Sequence, residues 1–346
     1  MEQLVVDLQN TLQHLYQGGS LNHEQTVEVF ESMMNGEVQE IQIAALLSLM
    51  AIRLPTVDEL VGSAQVMRRH VIPIKTHVSP DQMLDTAGTG GAPKTFNVST
   101  AAAIVSAAGG VPTAKHGNRS RTGRGSAEVL QRLGVNIDAS PDVQAKCLDE
   151  IGICFCFAIH HHPATKYVVP VRRQLAFPTI FNLLGPLTNP AGASRQVMGI
   201  WDDRFGQLVA EAQAQLGTTN AMVVHSHDGL DELSISAPSD VWHVREGHIE
   251  KITISPEDVG LPGAALEAVT VTNLDEAVRR ITDVLEGTEQ GPSRDIVLIN
   301  SAAALQVGGV VGSLGEGVNL AREIIDSGRA RETLAQLSTI SHQECV

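Results

Sequence analysis

At 346 residues, 43% apolar and 18% charged, the chain is long enough for two domains and can bury a sizeable core. Its 24 Lys and Arg against 39 Asp and Glu leave a formal charge of −15, which argues against a nucleic-acid or anionic-membrane surface. The cysteines, Cys147, Cys154, Cys156 and Cys345, have no CxxC spacing, and no signal peptide or spanning apolar stretch is visible. We read a soluble, cytoplasmic protein with reduced thiols.

Through residue 77 the apolar spacing predicts helices alone. Leu4, Val5, Leu8, Leu12 and Leu15 recur at i, i+3/i+4 until Gly18-Gly19. Asn22 with Gln25 forms a capping box for a second helix whose Val27, Val29, Phe30 and Met33-Met34 face inward, and Gly36 ends it. A third helix, Glu37 to Arg53, stops before Pro55, and Thr56 with Glu59 caps a fourth. The third is apolar on more than one face, which suits contact with a partner chain.

From residue 83 strands and helices alternate, the pattern of a mainly parallel sheet covered by helices. The strands fall at Met83–Thr86, Val111–Lys115, Ile153–Ala158, Val197–Ile200, Ala221–His225 and Val241–Val244. Between them the helices fall at Thr100–Ala108, Ser126–Leu133, Pro141–Ile151 and Phe205–Leu216, with Leu274–Glu286 and others following. Open sheets of this kind take ligands beyond the carboxyl ends of their strands. The chemically suggestive sequences fall there.

The first is Gly88-Thr89-Gly90-Gly91, between a strand and a small-residue helix, with Asn97, Ser99 and Thr100 where N-caps belong. Free N–H groups and a helix dipole then meet at one point, as an anion site requires. It is neither a Walker loop nor GxGxxG, and the plain alternative is a βα turn that binds nothing. The second is Lys115-His116-Gly117-Asn118-Arg119, running into a loop of glycines, arginines and hydroxyls that suits a polyphosphate. The third is Asp228-Gly229-Leu230-Asp231-Glu232, whose adjacent acids, lacking cationic neighbours in sequence, suit Mg²⁺. An acidic turn is the alternative there. His160-His161-His162 is read against zinc, because adjacent side chains at a strand end do not converge on one ion.

Taken in order, GTGG…NVST, KHGNR, HPA…VRR…FNLLGPLTNP and DGLDEL resemble the anthranilate phosphoribosyltransferases, over nearly the whole chain. The resemblance implies a small helical domain, 1–77 joined by helices from about 164–190, and a large α/β domain, 78–346, in a homodimer. It implies Mg²⁺-dependent transfer of the phosphoribosyl group of PRPP (5-phosphoribosyl pyrophosphate) to the amine of anthranilate, releasing pyrophosphate. On that basis Gly88, Gly91, Thr95, Asn97, Ser99, Thr100, Lys115 and Ser126 contact PRPP. Ser99, Asp231 and Glu232 hold the metal, with Lys115, Asp231 and Glu232 as the catalytic set. Asn118 and Arg172 bind anthranilate, and Gly88, His116, His162 and Pro186 line its route.

Two departures stand out. Ala92-Pro93 replaces the acidic residue usual after GTGG, in a loop one residue shorter, which leaves Lys94 as a further PRPP contact to test; the loop after Arg119 is also one residue shorter. The competing readings are a nucleoside phosphorylase-like enzyme, transfer to another aromatic amine, and a non-enzymatic nucleic-acid-binding relative. The absence of a KHSTGG loop speaks against the phosphorylase, and the acidic charge against nucleic acid.

Overall fold

The structure is a computed structural model that describes residues 8–90, 95–120 and 122–344. Four helices open it: Leu8–Tyr16, His23–Asn35, Glu40–Arg53 and Val57–Arg69. Both expected capping boxes form. Asn22 accepts the Gln25 N–H at 2.9 Å while Gln25 accepts the Asn22 N–H at 3.0 Å, and Thr56 and Glu59 make the same exchange. The third helix begins at Glu40 instead of Glu37, where Gln42 Oε1 accepts the Gln39 N–H at 3.2 Å. Leu4 and Val5 lie outside the described residues.

The strands are β1 (Leu84–Gly88), β2 (Thr113–Gly117), β3 (Ile153–Phe157), β4 (Arg195–Gly199), β5 (Asn220–Ser226), β6 (Ser239–Arg245) and β7 (His248–Ile254). They form a seven-stranded sheet in the order β3-β2-β1-β4-β5-β6-β7. The first five pair in parallel, and β6 and β7 are antiparallel additions at one edge. Sequence reading missed β7. Its sides are largely exposed, so its apolar signal is thin, and it follows β6 through Glu246 and Gly247, both at positive φ (50° and 81°), a tight hairpin turn.

Strand alternation sends neighbouring side chains into two different cores. Met222, Val224 and Val241 pack with helices 98–108 and 292–307, whereas Ala221, Val223, Trp242 and Val244 pack on the other face. That second core is continuous with the N-terminal helices, through Phe30, Met33, Leu46, Leu60 and the segment Val168 to Leu187. Arg68 reinforces the join, donating to Leu187 O at 2.9 Å and Leu216 O at 3.1 Å. Among the described residues, no helix is long and apolar enough to cross a membrane.

Candidate active site

The carboxyl ends of β1, β2 and β5 converge at the glycine turn. β1 ends at Gly88, and Gly90 takes φ +68°, which favours glycine. Gly91, Ala92, Pro93 and Lys94 lie outside the described residues. Helix 98–108 follows, and its capping differs from expectation. Asn97 occupies the N-cap position, but its Nδ2 donates to Arg124 O at 3.1 Å, which ties the helix start to the basic loop. Ser99 and Thr100 stand inside the first turn instead of capping it.

The cap comes from a distant motif. The Ser99 N–H donates to Glu232 Oε1 at 3.2 Å, and Thr95 Oγ1 donates to Glu232 Oε2 at 3.1 Å. A carboxylate therefore holds the helix end that sequence reading offers to phosphate, as the macrodipole favours. Thr100 Oγ1 and Asn97 Oδ1 are buried there without a hydrogen-bond partner.

Burial and the charge of Asp231 nonetheless push the Glu232 carboxyl up to about 8, against the Ser99 and Thr95 hydrogen bonds and the Lys115 charge. The acids therefore do have a cationic neighbour in the fold. Lys115 is buried, its Nζ donating to Thr86 O at 2.6 Å and Ser99 Oγ at 3.3 Å, and burial lowers its pKa to about 8. A carboxyl pushed up by a neighbouring carboxylate, as Glu232 is by Asp231, is relieved by a cation. With the Ser99 hydroxyl the two acids form an all-oxygen donor set that fits Mg²⁺, a hard ion that fills its other positions with water and substrate oxygens. Among the described residues no larger cluster of His, Cys, Asp or Glu gathers to hold a metal.

Close backbone approach fixes this pair in place. A Cβ on Gly88 would stand 2.7 Å from Asp231 Oδ2, and one on Gly199, at the end of β4, 1.7 Å from Asp231 O. Asp228, by contrast, anchors its own loop, accepting from Ser234 and Ser236. Gly199→Ala should therefore displace the acidic loop, costing on the order of 3 kcal/mol in stability together with most activity. Thermal melting and a turnover assay on the variant would check this, and an unshifted Tm would contradict it.

On the other side of the turn lie the residues read as the acceptor wall. His116 Nδ1 donates to Gly185 O at 3.1 Å; a carbonyl only accepts, so the neutral ring receives a hydrogen bond at Nε2 from His162 Nε2, 3.2 Å away. Burial depresses both pKa values, that of His162 to about 4, and both rings are neutral at pH 7. The remaining histidines diverge: His160 meets Asp138 and His161 meets Ile72 O and Gln144. Arg172, in helix 169–175, lies over the Phe181 ring at 5.3 Å and donates to Asn182 Oδ1 at 3.3 Å. Asn182 Nδ2 in turn donates to Thr89 O at 3.4 Å, joining the guanidinium to the glycine turn.

The sequence matches the description "Glycosyl transferase family, helical bundle domain" over residues 9–71 and "Glycosyl transferase family, a/b domain" over 80–331. It is 43% identical over 332 residues to an anthranilate phosphoribosyltransferase of Methylobacillus flagellatus, covering 95% of this chain and 97% of that protein. A Symbiobacterium thermophilum protein of the same name is 44% identical, covering 96% of this chain and 97% of its own. The chain belongs to the anthranilate phosphoribosyltransferase family. The crystal structure of the Thermus thermophilus anthranilate phosphoribosyltransferase superposes with a TM-score of 0.90 at 39% identity, covering 96% of this chain and 99% of that one. A Saccharomyces cerevisiae enzyme solved with PRPP and Mg shares the fold, with a TM-score of 0.88 at 24% identity over 96% of this chain and 97% of its own.

Within this anthranilate phosphoribosyltransferase family member, Thr95, Ser99, Lys115 and Glu232 form one bonded group, and Asn97 beside them bonds the basic loop. Gly88 abuts Asp231. Ser126 opens helix 126–132 against the end of β2, where a Cβ on Gly117 would lie 2.1 Å from its hydroxyl. Asn118 is exposed, its Oδ1 accepting from the Arg119 N–H, and Pro186 is buried, its carbonyl accepting from Gln196. Sequence reading missed Asn182, whose Oδ1 accepts the Thr179 N–H at 3.1 Å at the start of helix 180–184.

Proposed function

We propose that the two sides of the glycine turn are the donor and acceptor halves of one transferase site. PRPP is bound by Gly88, Gly91, Thr95, Asn97, Ser99, Thr100, Lys115 and Ser126. Anthranilate is held at its carboxylate by Arg172, beside Asn118 and along the wall of Gly88, His116, His162 and Pro186. The observation that carries this is the join at Gly88-Thr89: Asp231 abuts Gly88, and Asn182 links Arg172 to Thr89 O at 3.4 Å. The phosphoribosyl group passes from PRPP to the amine of anthranilate, and pyrophosphate leaves.

Loss of pyrophosphate develops positive charge on the ribose and negative charge on the leaving group, so catalysis here is charge stabilisation and positioning. Ser99, Asp231 and Glu232 would hold Mg²⁺, which when bound neutralises charge on the departing pyrophosphate. Lys115 presents a buried ammonium group beside Ser99. Arg172 offers a planar fork that matches a carboxylate, already oriented by Phe181 and Asn182. The aniline nitrogen attacks the opposite face from the leaving group and inverts α to β. It is unprotonated at neutral pH and needs no strong base.

Pyrophosphate release measured with PRPP and anthranilate, each alone, and with other aromatic amines tests the reading. Release that requires both substrates supports it. Phosphorolysis of thymidine with inorganic phosphate, or binding of a single-stranded oligonucleotide without turnover, would replace it.

We also propose a helical domain of residues 1–77 with helices from about 164–190, and an α/β domain of 78–346; the core that Phe30, Met33, Leu46 and Leu60 share with Val168, Phe181 and Leu187 supports joining those helices to the first. The homodimer forms through the N-terminal helices, where Tyr16, Ile41 and Ile52 expose 74%, 76% and 82% of their surface. Ile41→Glu with Ile52→Glu should convert a dimer to a monomer by sedimentation velocity, and an unchanged dimer would place the contact elsewhere. We assign the protein to the cytoplasm, because Cys147, Cys154 and Cys156 are buried and form no disulfide.

A further inference from the structure

The sheet face opposite Lys115 carries a buried polar chain that the transfer chemistry leaves unused. At its centre is Asp85, the second residue of β1 and fully buried. Its Oδ1 accepts the His116 N–H at 3.0 Å, and its Oδ2 accepts from Gln196 Nε2 at 3.4 Å. Gln196 Nε2 also donates to Pro186 O at 2.6 Å, and Gln196 Oε1 accepts from Gln213 Nε2 at 2.6 Å. Nearby, Asn189 Nδ2 donates to Ala114 O at 2.7 Å, holding the same turn against β2.

A buried carboxylate and one amide thus join β2 at His116 to the turn at Gly185-Pro186. The His116 ring closes the circuit by donating to Gly185 O. Parallel strand pairing needs none of this, and an anion in a dry core is costly without partners. Lys115 acts on Asp85 through charge, its own Nζ being bonded to Thr86 and Ser99. Buried networks whose members are bonded to one another rigidify a single arrangement. Here the parts held still are two elements of the proposed acceptor wall.

We infer that Asp85 and Gln196 are positioning residues for the aromatic acceptor, fixing His116 and Pro186 relative to each other. The inference rests on the assignment of that wall to anthranilate. Neither residue hydrogen-bonds to the donor half, and Gln196, unlike Asp85, carries no charge to act on Lys115, so the loss of Gln196 above all should fall on one substrate. Because they belong to one network, their effects should also fail to multiply.

The test measures steady-state kinetics with each substrate varied, for the full chain and for Asp85→Asn, Gln196→Leu, the double variant and His116→Ala. Asp85→Asn should raise the anthranilate KM at least about tenfold and the PRPP KM less than about twofold. Gln196→Leu should act in the same direction, and the double variant should be no worse than the more severe single one. Equal rises in both KM values, an unchanged anthranilate KM, or multiplying effects would each overturn the inference. His116→Ala separates the two levels: no change in its anthranilate KM overturns the wall assignment itself. A rise there without one in Asp85→Asn overturns the positioning role alone. If circular dichroism shows Asp85→Asn unfolded, Gln196→Leu decides by the same KM split.

Discussion

Replacing Asp231 with Asn and Glu232 with Gln together should lower kcat/KM by about 10²–10³-fold while leaving the fold intact. The fold should survive because the carboxamide that replaces the Glu232 carboxylate keeps one carbonyl oxygen. That oxygen can still accept from the Ser99 N–H or Thr95 Oγ1, which now bond Glu232 at 3.2 and 3.1 Å. The change also removes the charge repulsion between two adjacent, part-buried acids, so stability has little to lose. What disappears is the oxygen pair able to hold a hard cation against a polyphosphate. Turnover titrated with Mg²⁺, beside a melting curve, reads both effects. Near-normal rates at millimolar Mg²⁺ in a folded double variant would place the cation elsewhere.

Arg172→Ala should raise the anthranilate KM by roughly thirty- to a thousand-fold, corresponding to about 2–4 kcal/mol for a charge-assisted pair in a partly desolvated site. The PRPP KM should move far less. The guanidinium is half-buried, set over Phe181 and bonded to Asn182, so little side-chain freedom remains to be lost when a carboxylate arrives. Arg172→Lys should fail almost as badly, since an ammonium group reproduces neither the fork nor the ring contact. Initial rates with each substrate varied provide the check. Equal effects on both substrates would remove Arg172 from the acceptor half.

The elements most legible in sequence were those with local causes. Asn22-Gln25 and Thr56-Glu59 state where helices begin, because each box is closed by residues three apart. The strand ends followed from apolar runs stopping at glycine or polar residues, and the chemically suggestive motifs do cluster around one sheet edge. What could not be read were partners supplied from far along the chain. Glu232 caps a helix that starts more than a hundred residues earlier, so Ser99 and Thr100 looked like caps in their own right. Asp85 carries no local signal within its strand, and its meaning comes from Gln196 and His116, which only the sheet brings beside it. β7 went unseen because an exposed edge strand has little reason to show an apolar pattern. The Lys94 expectation falls on residues outside the described set.

The continuity of the second core governs what can be cut away. A fragment beginning at residue 78 would keep every residue of the sheet. It would also uncover the flank of helix 206–215 and the apolar segment around Phe181, Leu184 and Leu187 that the N-terminal helices now cover. Arg68 would no longer cover the carbonyls of Leu187 and Leu216. Newly wetted surface of that size is adhesive. The opening helices therefore act as a permanent in-chain chaperone for the catalytic half, and that half should precipitate when expressed without them.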